Sequence, residues 1–171
     1  MEFKNYDLQS NFHKDTKKII ICNHSTPFID VLWIHNSLKL LETKHFIYMS
    51  YFFNYENEWL RPIRSPKFIK NEVNYLNSLK EYCAIIFPSG GTINWKSGFY
   101  YLSKLTRTPI YLVHLNYIDN KIEVIDRIFI FHQSLDEIRN KCISIYKSFN
   151  KVPIWTNILK YVGYGDECMI H

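Results

Sequence analysis

Glycine and proline are scarce in this sequence of 171 residues, with five and six respectively. So few of both exclude long flexible or low-complexity segments and predict that almost the whole chain is folded. Purely apolar runs such as Ile19–Cys22 are far shorter than the roughly 20 residues that cross a bilayer, and no charged-then-apolar leader opens the sequence. We therefore expect a single domain over residues 1–171, without a membrane span or a signal peptide.

The four cysteines show no C-x-x-C spacing, and the seven histidines form no H-x-x-x-H or Cys/His cluster. This pattern predicts neither a disulfide framework nor a metal site. Cys22, Cys83 and Cys142 stand in apolar runs, where a thiol packs as a small hydrophobic group. These features together favour a reducing, cytoplasmic compartment.

The net charge is +5, from 21 Lys and Arg against 16 Asp and Glu, and aromatic residues make up 17% of the chain. A positive balance favours anionic partners without identifying one. More rings are present than a core of this size needs, so some are expected on a surface that meets lipid, nucleic acid or protein. An AT-rich coding sequence would also explain the abundance of Ile, Asn, Lys and Tyr, and composition leaves both explanations open.

Short apolar runs alternate along the sequence with stretches of three-four hydrophobic spacing. Strands are predicted at Lys17–Asn23, Lys44–Tyr51, Cys83–Phe87, Pro109–Tyr117 and Lys121–Ile130. Helices are predicted after Thr26-Pro27, after Pro66, over Ser97–Thr106 and over Ser134–Phe149. The aromatic segment Phe52–Pro66 is predicted to be irregular. This alternation predicts an α/β fold with a mixed, mostly parallel sheet flanked by helices.

A polar loop, Asn23–Asp30, follows the first predicted strand. Open α/β sheets bind ligands just beyond the C-terminal ends of their strands, so this loop is a candidate site. His24 is the candidate general base, and Asp30 is the carboxylate that would orient its ring. The structural alternative is that His24 bonds a neighbouring carbonyl group while Asp30 complements a helix dipole.

A second polar loop, Phe87–Thr92, follows a fully apolar strand and contains Gly90 and Gly91. Glycines let backbone N–H groups approach a developing negative charge or a phosphate closely. An ordinary tight turn is the alternative. The loop lacks the patterns of a nucleotide P-loop and of an α/β-hydrolase elbow, so neither family fits.

In this order, the two loops resemble the glycerol-phosphate and lysophosphatidate acyltransferase superfamily, which carries N-H-x-x-x-x-D near its start and F-P-E-G-T-R after a buried strand. The resemblance continues through W-K-S-G-F-Y-Y at 95–101 and T-P-I-Y-L-V at 108–113, which are similar to the W-K-x-G-F-Y-Y and V-P-I-V-P-V segments of that family. It extends from about residue 17 to 126 and implies a glycerolphosphate-acyltransferase-like fold.

Three departures from the family pattern stand in the sequence. Five residues rather than four separate His24 from Asp30. Ser89 occupies the position of the family's glutamate, and Gly91-Thr92 replaces its Thr-Arg, so the cation expected to hold the acceptor's phosphate is missing there. The apolar N-terminal helices common in the family are also absent, so membrane contact would have to come from surface aromatic residues and lysines.

The resemblance implies an O-acyltransferase that acts at a peripheral membrane surface. The enzyme would move a fatty acyl group from a thioester co-substrate, acyl-CoA or acyl carrier protein, to the hydroxyl of a lysophospholipid or glycerol phosphate. No bound cofactor and no nucleic-acid partner are expected. His24 would be the general base and Asp30 its orienting partner. The implied substrate-binding residues are Arg61, Arg64, Ser89, Gly90, Gly91 and Lys96.

Two other functions remain open at this stage. With Ser89 as nucleophile and His24 as its base, the protein would be a lipase or thioesterase. A degenerate acyltransferase fold could instead serve as a basic, aromatic lipid-binding or nucleic-acid-binding module, and the altered glycine loop is the best support for that alternative.

Overall fold

The computed structural model describes residues 15–22, 29–40, 44–49, 59–62, 66–88, 95–116 and 121–149. These residues form an α/β fold. In chain order the elements are β1 (Lys17–Cys22), α1 (Ile29–Leu40), β2 (His45–Met49), β3 (Leu60–Pro62), α2 (Pro66–Ser78), β4 (Tyr82–Ile86), α3 (Gly98–Thr106), β5 (Ile110–Asn116), β6 (Lys121–Ile128) and α4 (Leu135–Phe149).

The strands form one sheet of six, in the order β3-β2-β4-β1-β5-β6. Strands β1 to β5 all run parallel, and β6 pairs antiparallel with β5. Only residues 117–120 separate β5 from β6, which is enough for a hairpin but too short for the crossover that parallel neighbours require. The predicted class, a mixed and mostly parallel sheet flanked by helices, is therefore confirmed.

Side chains alternate between the two faces of the sheet and build a core on each. On the face that we call the α1 face, Ile20 and Ile85 pack with Trp33 and Ile34 of α1. On the opposite face, called the α2–α4 face, the buried residues of the strands pack with those of the other three helices. The central strands β1 and β4 are therefore covered on both sides, which explains their nearly continuous apolar sequences.

The hydrophobic spacing predicted the buried side of each long helix. Val31, Ile34 and Leu38 are buried on α1, as expected, and Leu76 is buried on α2. The predicted helix start at Thr26-Pro27 lies outside the described residues, and the described helix begins at Ile29.

One prediction about the sheet was wrong. Leu60–Pro62 lies within the segment predicted to be irregular, but it forms the strand β3 and pairs parallel with β2. The strand has three residues, and Leu60 among them is buried. So short a strand leaves no alternating pattern in the sequence, and its pairing with β2 is what defines it.

Candidate active site

The two strands that precede the candidate loops are neighbours at the centre of the sheet. β1 and β4 pair in parallel, with Ile21 opposite Ile86, so both strands end at the same edge. This edge is called the C-terminal edge below. The prediction that these strands lie side by side is confirmed.

The connections that follow β1 and β4 depart in opposite directions. The chain leaves β1 through α1, on the α1 face, to reach β2, and it leaves β4 through α3, on the other face, to reach β5. Such a reversal of direction between neighbouring strands opens a crevice at their C-terminal ends, the place where open α/β sheets bind ligands. Both candidate loops of the sequence start at this edge.

Several of the predicted site residues lie outside the described residues, and their roles stay predictions. They are His24, Arg64, Ser89, Gly90 and Gly91. The described residues do fix both ends of the glycine-containing segment, because the Lys96 N–H donates a hydrogen bond of 2.9 Å to the Pro88 carbonyl. The Lys96 side chain is exposed next to this contact.

Asp30 is the second residue of α1, and its side chain is completely buried. The carboxylate lies within electrostatic reach of Cys22, the last residue of β1. Burial raises the pKa of the Cys22 thiol well above its ordinary value, and the negative charge of Asp30 raises it further. Asp30 is thus at the C-terminal edge, where the prediction requires it. The protonated thiol of Cys22 is a poor nucleophile at neutral pH.

Arg61 lies on β3, directly opposite Tyr48 of β2, which in turn pairs with the last residue of β4. Two strand spacings, about 10 Å, therefore separate the backbone of Arg61 from the end of β4. The Arg61 Nε lies 2.8 Å from Oε1 of Glu72, and its guanidinium lies 4.5 Å from the centre of the Tyr75 ring. An ion pair and a stacked ring therefore hold the guanidinium in place.

Glu72 is a buried carboxylate, only 3% exposed, on α2. Its Oε1 also accepts a hydrogen bond of 2.6 Å from the Tyr48 hydroxyl. Burial, followed by the charge of Glu72, raises the pKa of Tyr48 well above its ordinary value, so the phenol stays a donor. Among the residues that the structure describes, the two terminal nitrogens of Arg61 have no hydrogen-bond partner. The guanidinium lies on the α2–α4 face beside Phe46 and Tyr75, whereas Asp30 belongs to α1 on the other face, so the structure does not bring Arg61 and Asp30 together.

Sequence reasoning missed Glu72 and Tyr48. The signal for Glu72 was its position in α2, three residues after Ile69 and four before Leu76. That spacing places it on the buried side of the helix, where an unpaired carboxylate would be very costly. A charged residue on the buried face of a helix therefore predicts an ion-pair or hydrogen-bond partner inside the fold.

A tyrosine of α4 contacts the end of β1 on the side away from β4. The Tyr146 hydroxyl accepts a hydrogen bond of 3.1 Å from the Val113 N–H and lies 2.6 Å from the Ile21 carbonyl, to which it donates. In the parallel register of β1 and β5, the Val113 N–H would otherwise donate directly to the Ile21 carbonyl. The Tyr146 hydroxyl bridges these two backbone groups. Trp95 packs on the same ring, at 5.8 Å between centroids. Tyr146 thus joins the end of β1 to the segment that follows β4.

Within the described part of the chain, no three His, Cys, Asp or Glu side chains are grouped as metal ligands would be. None of the helices described there is long and apolar enough to cross a membrane. In comparisons with protein-family models, curated proteins and solved structures, the chain matches none. Arguments about its function therefore rest on the motifs and on the geometry of this edge.

Proposed function

We propose that this chain is an O-acyltransferase with a glycerolphosphate-acyltransferase-like fold. It would transfer a fatty acyl group from acyl-CoA or an acyl carrier protein thioester to the hydroxyl of a lysophospholipid or glycerol phosphate. The observation that carries the proposal is the parallel pairing of β1 with β4 at the reversal of chain direction. Both motif-bearing loops start at this one edge of the sheet, as a single reacting centre requires.

In the proposed reaction, His24 takes the proton from the acceptor hydroxyl while the hydroxyl oxygen attacks the thioester carbonyl carbon. Negative charge develops on the carbonyl oxygen, and N–H groups of Gly90 and Gly91 would stabilise it. The C–S bond then breaks, and the proton passes from the imidazolium to the departing thiolate. The products are an ester and a free thiol, and no covalent acyl-enzyme forms.

The buried carboxylate of Asp30 supports this scheme, because a buried anion beside an imidazole orients the ring and stabilises its protonated form. Arg61, Arg64 and Lys96 would supply the cations for a phosphorylated acceptor, as the resemblance implies.

Apolar side chains beside Asp30 support contact with lipid. Ile29 and Leu32, on the first turn of α1, are 42% and 50% exposed. They lie near the same edge of the sheet as the proposed reaction, where an acyl chain or a peripheral membrane surface would approach. The net charge of +5 favours anionic lipids at such a surface.

The test is thiol release from a long-chain acyl-CoA, with and without lysophosphatidate, followed by analysis of the lipid product. We expect acceptor-dependent transfer, which His24→Ala lowers by about 10² to 10⁴ because a positioned general base contributes that range. Asp30→Asn should lower the rate less. His132→Ala, which changes an exposed histidine just after β6, is the matched control and should retain full activity.

Ser89→Ala separates transfer from hydrolysis. An acyltransferase that uses Ser89 only as a loop residue keeps most of its activity in this variant, whereas a serine hydrolase loses nearly all of it. A serine hydrolase would also form a trapped adduct with a phosphonate inhibitor in its wild-type form. A wild-type protein that transfers to no acceptor would favour the lipid-binding module instead.

A further inference from the structure

We propose that Tyr146 is a positioning residue, whose hydroxyl and ring together fix the end of β1 relative to the segment that follows β4. The inference rests on the proposed function and adds to it the side chain that sets the geometry between the two loops. It starts from the position of this side chain, which is 5% exposed and reaches from α4 to the C-terminal edge of the sheet.

The hydroxyl of Tyr146 holds the last residues of β1. It donates to the Ile21 carbonyl at 2.6 Å and accepts from the Val113 N–H at 3.1 Å. Burial raises the pKa of the phenol well above its ordinary value, so the hydroxyl remains a donor at neutral pH. Ile21 is the residue before Cys22, the last residue of β1. The contact therefore acts on the backbone where β1 reaches the first candidate loop.

The other buried residues of α4 do not fix the position of the helix along the sheet in the same way. Ile138 and Cys142 belong to the hydrophobic core of the α2–α4 face, and apolar contacts are not directional. Hydrogen bonds are directional and weaken steeply when their geometry changes. Tyr146 thus sets where the last turns of α4 lie against the end of β1.

The ring of Tyr146 makes the second contact. Trp95 packs on it at 5.8 Å between centroids, and on Phe99 of α3 at the same distance. Trp95 follows the glycine-containing segment, whose two ends are joined by the hydrogen bond of 2.9 Å from Lys96 to Pro88. One side chain therefore joins the end of β1 to the residue at which this segment ends.

The proposed reaction needs this junction, because its general base follows β1 and its N–H donors follow β4. Both must act on one thioester carbonyl, and a displacement of about 1 Å can cost about 10²-fold in rate. A change that affects only the transition state lowers kcat and leaves KM unchanged. We therefore expect loss of the Tyr146 hydroxyl to lower kcat and to leave the KM values nearly as they are.

Tyr100 of α3 is the matched control. It is 4% exposed, and its hydroxyl also donates to a backbone carbonyl, that of Gln133, at 2.8 Å. This hydroxyl likewise accepts one bond, from Lys104 Nζ at 3.1 Å. Gln133 follows β6, whose last residue pairs with Ile110 at the start of β5, so the contact lies toward the opposite edge of the sheet. Tyr100→Phe therefore removes a comparable hydroxyl away from the end of β1.

Thiol labelling gives a readout that needs no catalysis. Cys22 at the end of β1 and Cys83 near the start of β4 are both buried, so each reacts with N-ethylmaleimide only when the structure around it opens. We expect Tyr146→Phe to raise the ratio of the two labelling rates, Cys22 over Cys83, about tenfold, because a buried hydrogen bond is lost at β1 alone. Tyr100→Phe should leave this ratio as in the wild type. Mass spectrometry of the labelled peptides measures both rates.

The kinetic test compares the same two variants with the wild type. We expect Tyr146→Phe to lower kcat for acyl transfer about tenfold, with KM for acyl-CoA and for lysophosphatidate nearly unchanged. Tyr100→Phe should leave kcat and both KM values as in the wild type. Should Tyr146→Phe fail to fold, Trp95→Leu removes the ring contact from the other side and should lower kcat in the same way.

The two readouts separate this inference from the proposed function. If Tyr146→Phe raises the labelling ratio but the wild type transfers no acyl group, the acyltransferase proposal fails and the role of Tyr146 in holding the end of β1 stands. If Tyr146→Phe exposes Cys22 and Cys83 equally, or if an active wild type keeps its kcat in this variant, the positioning role is overturned.

Discussion

The two edges of the sheet carry the same three kinds of side chain in different arrangements. At each edge an arginine pairs with a carboxylate, and that carboxylate also accepts a hydrogen bond from a tyrosine of the neighbouring strand. The β3 edge has Arg61, Glu72 and Tyr48, and the β6 edge has Arg127, Asp15 and Tyr111. Composition alone would not distinguish the two clusters.

They differ in the burial of the carboxylate and in the nitrogen that it engages. Glu72 is 3% exposed and Asp15 is 27% exposed. Glu72 engages the Nε of Arg61, whereas Asp15 engages a terminal nitrogen of Arg127, whose Nε is buried without a hydrogen-bond partner in the described structure. The same residue types therefore form a partly exposed ion pair at the β6 edge and a pair with a buried carboxylate at the β3 edge.

The largest expected difference between the two clusters is in folding stability. Glu72→Ala leaves a buried Tyr48 hydroxyl without its acceptor and a cavity under Arg61, so we expect a loss of about 3 kcal/mol. Asp15→Ala removes the partner of an arginine that water already reaches, so we expect a loss of folding stability of about 1 kcal/mol or less. Urea denaturation of both variants measures the difference. Equal losses at the two edges would contradict the contrast in burial.

Removal of a single hydroxyl tests the same contrast with a smaller change. Tyr48→Phe deletes a hydrogen bond to a charged and buried acceptor, which is worth about 2 kcal/mol. Tyr111→Phe deletes a bond to Asp15, which keeps Arg127 as a partner and is partly solvated, so we expect about 0.5 to 1 kcal/mol. The same denaturation assay applies. A larger loss for Tyr111→Phe would reverse the ranking of the two edges.

The smallest expected effect is a pH dependence confined to the β3 edge. His35 Nδ1 lies 2.8 Å from His45 Nε2, and the His35 ring stacks on Trp59, just before β3, at 4.0 Å. Burial lowers the pKa of His35, and the positive charges of His45 and Lys39 lower it further. The folded state therefore binds this proton more weakly than the unfolded state, whose pKa is about 6.5.

This contribution to stability is complete above pH 6.5 and is lost as the pH falls below that value toward the folded pKa. The Ile47 N–H bonds to the Trp59 carbonyl. Its protection from hydrogen exchange, corrected for the pH dependence of the intrinsic rate, should be weaker at pH 5 than at pH 7. Tyr111 on β5 provides the control amide. His35→Gln should abolish the difference between pH 5 and pH 7, and protection of Ile47 that does not change with pH would rule out the effect.

Asp15 sets a different pH range for the β6 edge. Burial opposes ionisation of its carboxyl, but hydrogen bonds from Tyr111 and Arg127 outweigh this and lower the pKa. Its contribution is therefore present above the unfolded pKa of about 3.9 and is lost as the pH falls through the lower folded value. On acidification, the β3 edge is thus expected to loosen before the β6 edge.

Much of the secondary structure could be predicted from the sequence. The apolar runs predicted β1 and β4, and the observed strands agree with the predictions to within one residue at each end. The predicted helix over Ser134–Phe149 is observed as Leu135–Phe149. These elements follow from local periodicity, because burial on a sheet or on one side of a helix repeats every 2 or 3.6 residues. β3 was missed because three residues are too few to show a period.

The roles of the candidate site residues stay predictions. The motifs predicted polar loops after β1 and β4 and singled out Asp30, which is completely buried within electrostatic reach of Cys22. The ion pair of Arg61 was not predicted, because Glu72 is eleven residues away on another element and its partner depends on how α2 packs against β2 and β3. Likewise, no local pattern places Tyr146 between β1 and β5.

The sequence by itself determined which segments bury which side chains, since that depends on the spacing of apolar residues along a few turns or one strand. Only the tertiary structure decided the strand order, the reversal of chain direction between β1 and β4, and the difference between Arg61 and Arg127. The physical reason is that hydrogen bonds and ion pairs are directional and short-ranged. Their partners are therefore set by which elements lie side by side, and neighbouring strands such as β1 and β4 are separated by some sixty residues of chain.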